Sequence, residues 1–156
     1  MKVLVCDIDG VLNDHTFNVR ANSTSIKSSC VDNLNKILTE TDVQIVISSA
    51  WRYMILNEAM TLKGFEYLLR THGVYAENRL IGCTREDRLL FGSPGSDLER
   101  GIEIQNWLEE HPEVTKYIVI DDLDLGISPL HPFIHTNKNV GLSLENALIV
   151  ISMLNS

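Results

Sequence analysis

Asp7 and Asp9, two carboxylates one residue apart and followed by Gly10, stand at the end of the apolar run Val3-Leu4-Val5-Cys6. In an extended chain alternate residues share a direction, so these acids crowd one another, and close carboxylates repel unless a proton or a cation lies between them. Mg²⁺, a hard cation that takes oxygen ligands, answers that need. A second apolar run, Tyr117-Ile118-Val119-Ile120, delivers Asp121 and Asp122, with Asp124 close behind, and a third, from Val43 to Ile47, delivers Ser48 and Ser49. Carboxylates, hydroxyls and a divalent cation at one edge point to phosphate chemistry, where an anionic centre must be neutralised before a nucleophile can approach it.

The elements that position these residues follow from the pattern of the chain. Short, continuous, β-branched runs are strands of a buried parallel sheet, and such sheets gather ligands at the strands' carboxyl ends. Strand runs alternate with helical runs, which predicts an α/β doubly wound parallel sheet. Beyond the first strand, residues 10–27 are polar, lack periodicity and read as a flap over the site. Ser29-x-x-Asp32 resembles a capping box for a helix reaching about Thr41, and the next strand is Val43 to Ile47. From Trp51 to His72 the spacing is helical, with Gly73 as its C-cap. A short strand follows over Arg79 to Gly82. Residues 84–97 carry Gly92, Pro94 and Gly95 and read as loop, ending at Ser96-x-x-Glu99, a second capping box for a helix reaching about Glu110, stopped by His111-Pro112. Phe133 to His135 suggests a last short strand. Ser143 caps a final helix with Leu144, Ala147, Leu148, Ile151 and Leu154 on one face.

Composition bounds the rest. A chain of 156 residues is expected to form a single domain, and 44% hydrophobic with 22% charged residues is ordinary for a soluble globular protein. The formal charge of -8 argues against a surface that coats nucleic acid, since Lys and Arg supply most non-specific affinity, but leaves room for binding one strand end. Cys6, Cys30 and Cys83 are odd in number and scattered, so neither a disulfide framework nor a zinc site is expected. With no apolar stretch long enough to span a bilayer and no signal-peptide pattern, a cytoplasmic protein is the expectation. His15, His72, His111, His131 and His135 lack metal-ligand spacing and are assigned no chemistry; Trp107 falls on the apolar side of its helix.

The order of these motifs resembles the haloacid dehalogenase (HAD) superfamily of aspartate-nucleophile phosphatases: DxDG, a strand-terminal Ser or Thr, a Lys or Arg, and a late acidic pair. More closely, "DIDGVLN", "IVISSAWR", "RGIEIQNWLEEHPEV", "YIVIDD" and "HTNKNVGLS" resemble the HAD domain of "Swiss Army Knife" RNA-repair proteins over nearly the whole chain. The resemblance implies a HAD-like Rossmannoid fold. It implies Asp7 as the nucleophile that forms an aspartyl-phosphate, and Asp9 as general acid toward the leaving oxygen and then general base toward water. It places Ser48 in the phosphoryl-binding hydroxyl position, with Ser49 as the alternative, and Arg100 in the Lys/Arg position, where a guanidinium offers a bidentate clamp that Lys lacks. The implied Mg²⁺ ligands are Asp7, the backbone carbonyl of Asp9, and Asp121 and Asp122 from the late acids. Trp51 reads first as core packing and second as a base-stacking platform. Arg52 is a candidate for a neighbouring phosphate, and Arg85 and Arg88 either line the mouth or belong to a solvated loop.

Family enzymes insert caps after strand one or strand three, and neither interval here has room, so a minimal cap and an open site are expected. Open sites suit phosphates on large substrates. The expected activity is therefore Mg²⁺-dependent phosphomonoester hydrolysis, removing a terminal phosphate, a 3′-phosphate being one candidate, from RNA or DNA ends. A nucleotidase or general small-molecule phosphatase is the alternative within enzymes, and a non-catalytic HAD-fold binding module the alternative from another class. No P-loop pattern is present, so a partnering kinase or ligase activity is expected from another chain. Oligomeric state is not legible.

Overall fold

The computed structural model describes residues 1–15, 25–85 and 99–156. Its sheet comprises β1 (Lys2–Cys6), β2 (Gln44–Ile47), β3 (Leu80–Cys83), β4 (Lys116–Asp121) and β5 (Phe133–His135), all parallel and ordered β3-β2-β1-β4-β5. β1 is central, and its register sets Cys6 beside Ile47 on one side and Ile120 on the other. The strand ends carrying the acids and the serines are thereby aligned, at the place where the order reverses on either side of β1 and where open α/β sheets bind ligands.

Helices cover both faces. α1 (Ser28–Glu40), α2 (Tyr53–Leu56), α3 (Leu62–Thr71), α4 (Glu99–Glu109) and α5 (Leu144–Asn155) are the described α-helices. The period of two along β1 separates two cores. Leu4 and Cys6 pack with Leu34 and Ile37 of α1, Phe65 and Leu69 of α3, and Val150 and Leu154 of α5. Val3 and Val5 pack with Ile104 and Trp107 of α4, together with Val119 and Ile127. This is the doubly wound α/β arrangement expected of the chain. None of the described helices is long and apolar enough to cross a membrane.

Several local expectations are corrected. α1 begins at Ser28 with Lys27 as its N-cap residue and no side-chain cap, so Ser29-x-x-Asp32 is not a capping box; Lys27 instead holds Asp14 at 2.5 Å. The helix expected from Trp51 to His72 is a 3₁₀ turn (Ala50–Arg52), α2 and α3, because Glu58 turns left-handed (φ 57°) and Thr61 caps a new start by accepting from the Gly64 amide at 3.0 Å. The end of α3 does lead to Gly73 at φ 89°, a conformation glycine adopts freely. Ser143 caps α5 through a capping box with Asn146. Leu144 and Leu148, however, are exposed, and Val150 takes the buried place beside Ala147, Ile151 and Leu154. Within the expected flap, Val11 and Leu12 are core residues. Residues 16–24 of that flap, the Ser96 capping box, Arg88 and the segment 86–98 lie outside the described residues, so the minimal-cap expectation rests on interval length.

Candidate active site

β1 ends by aiming the Asp7 carboxylate, itself nearly fully buried, into a cavity of about 230 Å³. Asp9, Gly10, His15, Ser49, Ala50, Arg100, Asp122, Leu123 and Lys138 complete the wall. The Asp7 amide donates to the Ile120 carbonyl at 3.0 Å, prolonging the β1–β4 ladder by one residue. That bond places Asp7 against the start of the late acidic pair.

Arg100, from the first turn of α4, sits between the acids. Its Nη1 lies 2.5 Å from Asp121 Oδ2 and 3.4 Å from Asp7 Oδ2. Its position is fixed by Gly101, whose amide donates to the Leu125 carbonyl at 2.9 Å and where a Cβ would stand 2.0 Å from the Gly126 oxygen. No other residue lets α4 approach the loop after β4 so closely. On the same glycine, the carbonyl accepts from His131 Nε2 at 2.7 Å, while His131 Nδ1 accepts from the Tyr117 hydroxyl at 3.0 Å. Burial lowers the His131 pKa, in keeping with a neutral ring that donates on one nitrogen and accepts on the other.

Gly10 has a positive φ of 78°, and a Cβ there would lie 2.4 Å from Asp122 Cγ. The glycine of the D-x-D-G run thus makes room for the late carboxylate. Asp9, next to it, is held at both oxygens: Asn13 Nδ2 donates to Oδ1 at 2.9 Å and Trp51 Nε1 to Oδ2 at 3.0 Å. Asn13 is in turn fixed by the Gly10 amide, which donates to its Oδ1 at 2.8 Å.

Three carboxylates in this cluster could hold a cation. Asp7, Asp121 and Asp122 can each offer a carboxylate oxygen such that the three lie within 4.8 Å of one another. Burial, then the charge of Asp121, push the Asp7 pKa up to about 8, although Arg100, the Ile8 amide and the Ser49 hydroxyl pull it down. Asp122 is likewise raised, by burial and then by Asp121. An all-oxygen donor set with an uncompensated negative charge fits Mg²⁺. Asp121 already accepts from Arg100 and from the Leu123 amide (2.9 Å), which leaves Asp122 as the less engaged of the pair.

The cavity separates the remaining candidates. Ser49 lines it, whereas the Ser48 hydroxyl accepts from Thr84 at 3.3 Å. Arg52 is buried, with its Nη2 at 3.2 and 3.0 Å from the two oxygens of the equally buried Glu103, and it lines a cavity of about 140 Å³ that Arg100 also borders. Arg85 lines a separate cavity with Cys83, Trp107 and His111. Asp124 accepts from the Ile127 and Ser128 amides, both at 2.9 Å, and so caps a turn. Trp51 is core, as expected, but its indole N–H also orients Asp9. His15 and Lys138, given no chemistry in the sequence, stand in the wall, joined by the His15 amide donating to the Lys138 carbonyl at 2.7 Å. Only the quoted run "HTNKNVGLS" pointed toward Lys138.

Sheet order and strand-end acids define this as a HAD-like α/β protein. The family model described as the HAD domain in Swiss Army Knife RNA repair proteins matches residues 3–147, and the chain belongs to that family. No curated protein and no solved structure matches it. Membership supports a hydrolase of the HAD type.

Proposed function

We propose that this domain is a Mg²⁺-dependent phosphomonoesterase with Asp7 as nucleophile, acting on a terminal phosphate of RNA or DNA. The observation that carries the reading is the placement of Asp7: a buried carboxylate in contact with Arg100, sharing one cavity with Asp9, Ser49 and Asp122. Asp7, Asp121, Asp122 and the Asp9 carbonyl would hold the metal, which when bound supplies positive charge to offset the crowded carboxylates and the phosphate.

Each residue then has a defined task. Arg100 and the Ser49 hydroxyl donate to the phosphoryl oxygens and align the phosphorus with Asp7. The Asp7 carboxylate oxygen forms a bond to phosphorus as the bond to the leaving oxygen breaks, and Asp9 gives its proton to that oxygen. Asp9, now a base, removes a proton from water, whose oxygen attacks the phosphorus of the aspartyl-phosphate. Inorganic phosphate departs and Asp7 is regenerated. Asn13 and Trp51 keep the Asp9 carboxyl facing the reacting oxygen throughout.

Family membership in RNA repair and the short intervals where caps would lie favour polynucleotide ends over small metabolites. The test is a panel of esters with Mg²⁺: oligonucleotides bearing a 5′- or 3′-phosphate, mononucleotides and sugar phosphates. A higher specificity constant on phosphorylated oligonucleotide ends supports the reading. Better turnover of mononucleotides or sugar phosphates replaces it with a metabolite phosphatase.

A further inference from the structure

Asp9 and Ala50 line two cavities at once. One is the site around Asp7. The other, of about 790 Å³, is walled by Trp51, Met54, Met60 and Leu68, with Ser25 and His72 at its polar points. We propose that this second cavity seats the leaving group, and that it takes the planar base of the nucleotide from which the phosphate is removed. This rests on the phosphatase reading above and adds to it the part of the substrate that confers selectivity.

Continuity is the first argument. The proton from Asp9 goes to the oxygen that leaves, so the group bonded to that oxygen lies beside Asp9, and the space beyond Asp9 is this cavity. Its size falls within the range of small-molecule sites, about 300–1,000 Å³, and exceeds the 230 Å³ around Asp7.

The chemistry of the wall is the second. Two thioethers, a leucine and an indole offer polarisable, adaptable surface that suits a flat ring, and methionine sulfur makes favourable contacts with aromatic rings. A sugar or glycerol leaving group would set its hydroxyls against Met54, Met60 and Leu68. Such a substrate loses the apolar contact and gains few partners.

Trp51 belongs to both functions. The residue lines the cavity while its Nε1 donates to Asp9 Oδ2 at 3.0 Å. A base packed against this wall therefore bears on the side chain that orients the acid. Trp51 is a positioning residue, and occupancy of the cavity favours the Asp9 geometry that protonates the leaving oxygen.

Two measurements test the assignment and separate it from the phosphatase reading. In a Trp107→Phe background Trp51 is the sole tryptophan, so adenosine 3′-phosphate is titrated while its emission is followed. A saturable shift, weakened about tenfold or more by Leu68→Asp and less by the milder Leu68→Ser, is expected. The second compares hydrolysis of 3′-phosphorylated oligonucleotides whose terminal residue either carries a base or is abasic. The base-bearing end should have a kcat/KM about tenfold higher, and Leu68→Asp should bring that ratio close to one. A Trp51 shift without hydrolysis of any ester would retain the cavity and overturn the phosphatase. Equal turnover of both ends, or no saturable shift, overturns the base-binding cavity and leaves the phosphatase standing.

Discussion

Arg52 and Glu103 form a buried ion pair between the 3₁₀ turn that follows Ser49 and the helix that carries Arg100. Both residues are 4% exposed, and the closest approach is 3.0 Å. Removing one partner as Arg52→Met or Glu103→Leu breaks this buried pair, at about 3–5 kcal/mol. In a chain of this size each kcal/mol moves the melting temperature by about 2–4 °C, so each single variant should melt roughly 6–20 °C lower. The double variant should behave differently. Arg52 Nε and Nη1 are buried without hydrogen-bond partners, so the wild-type pair carries an uncompensated desolvation cost, offset in part by the Tyr53 ring 5.5 Å from the guanidinium. Replacing both side chains with apolar groups should restore stability to within about 1 kcal/mol of wild type, a coupling of about 5–11 kcal/mol in the double-mutant cycle. Thermal melts of the four proteins, read beside KM for a phosphorylated oligonucleotide, decide the matter. If Arg52→Met melts like wild type while KM rises, Arg52 binds substrate and the reasoning fails.

Asn13→Ala removes a hydrogen bond to the Asp9 carboxylate worth about 1.5–3 kcal/mol, so kcat on alkyl phosphates should fall about 10- to 100-fold, and less on aryl phosphates whose leaving oxygen needs no proton; equal losses on both would remove Asp9 from acid duty. Gly10→Ala forces a Cβ to within 2.4 Å of Asp122 Cγ at a backbone φ of 78°, and should weaken Mg²⁺ binding measured by calorimetry. The Asp7 pKa, raised from 3.8 to about 8 in the folded state, means that the metal-free fold holds this proton more tightly than the unfolded chain. That contribution to stability is fully present below pH 3.8 and is lost as pH rises through about 8, so the rise in melting temperature on adding Mg²⁺ should be larger at pH 8 than at pH 5. An equal or reversed difference would remove the cation from this cluster.

What the sequence disclosed is what local pattern carries. The apolar runs located β1 and β4, their strand-end acids located the site, and Ser143 located the start of α5. Arg100 was legible only through the family resemblance, which put it in the Lys/Arg position ahead of the late acids. Long-range partnerships were not legible. Trp51 donating to Asp9 spans 42 residues and Arg52 meeting Glu103 spans 51, and nothing local distinguishes either residue from core or surface. The break between α2 and α3 was hidden because Glu58 in a left-handed conformation has no strong sequence mark. Leu144 and Leu148 misled because an apolar residue on a helix need not face the core.

A covalent bond from phosphorus to Asp7 is the central step of the proposed reaction, and trapping that bond is its sharpest test. Enzyme mixed with a 3′-phosphorylated oligonucleotide and Mg²⁺, quenched in acid within a turnover and reduced with borohydride, should show by peptide mass spectrometry an aspartyl-phosphate reduced to the alcohol at position 7, absent with chelator or in Asp7→Asn. Rapid release of phosphate with position 7 unmodified, or undiminished in Asp7→Asn, would contradict the mechanism.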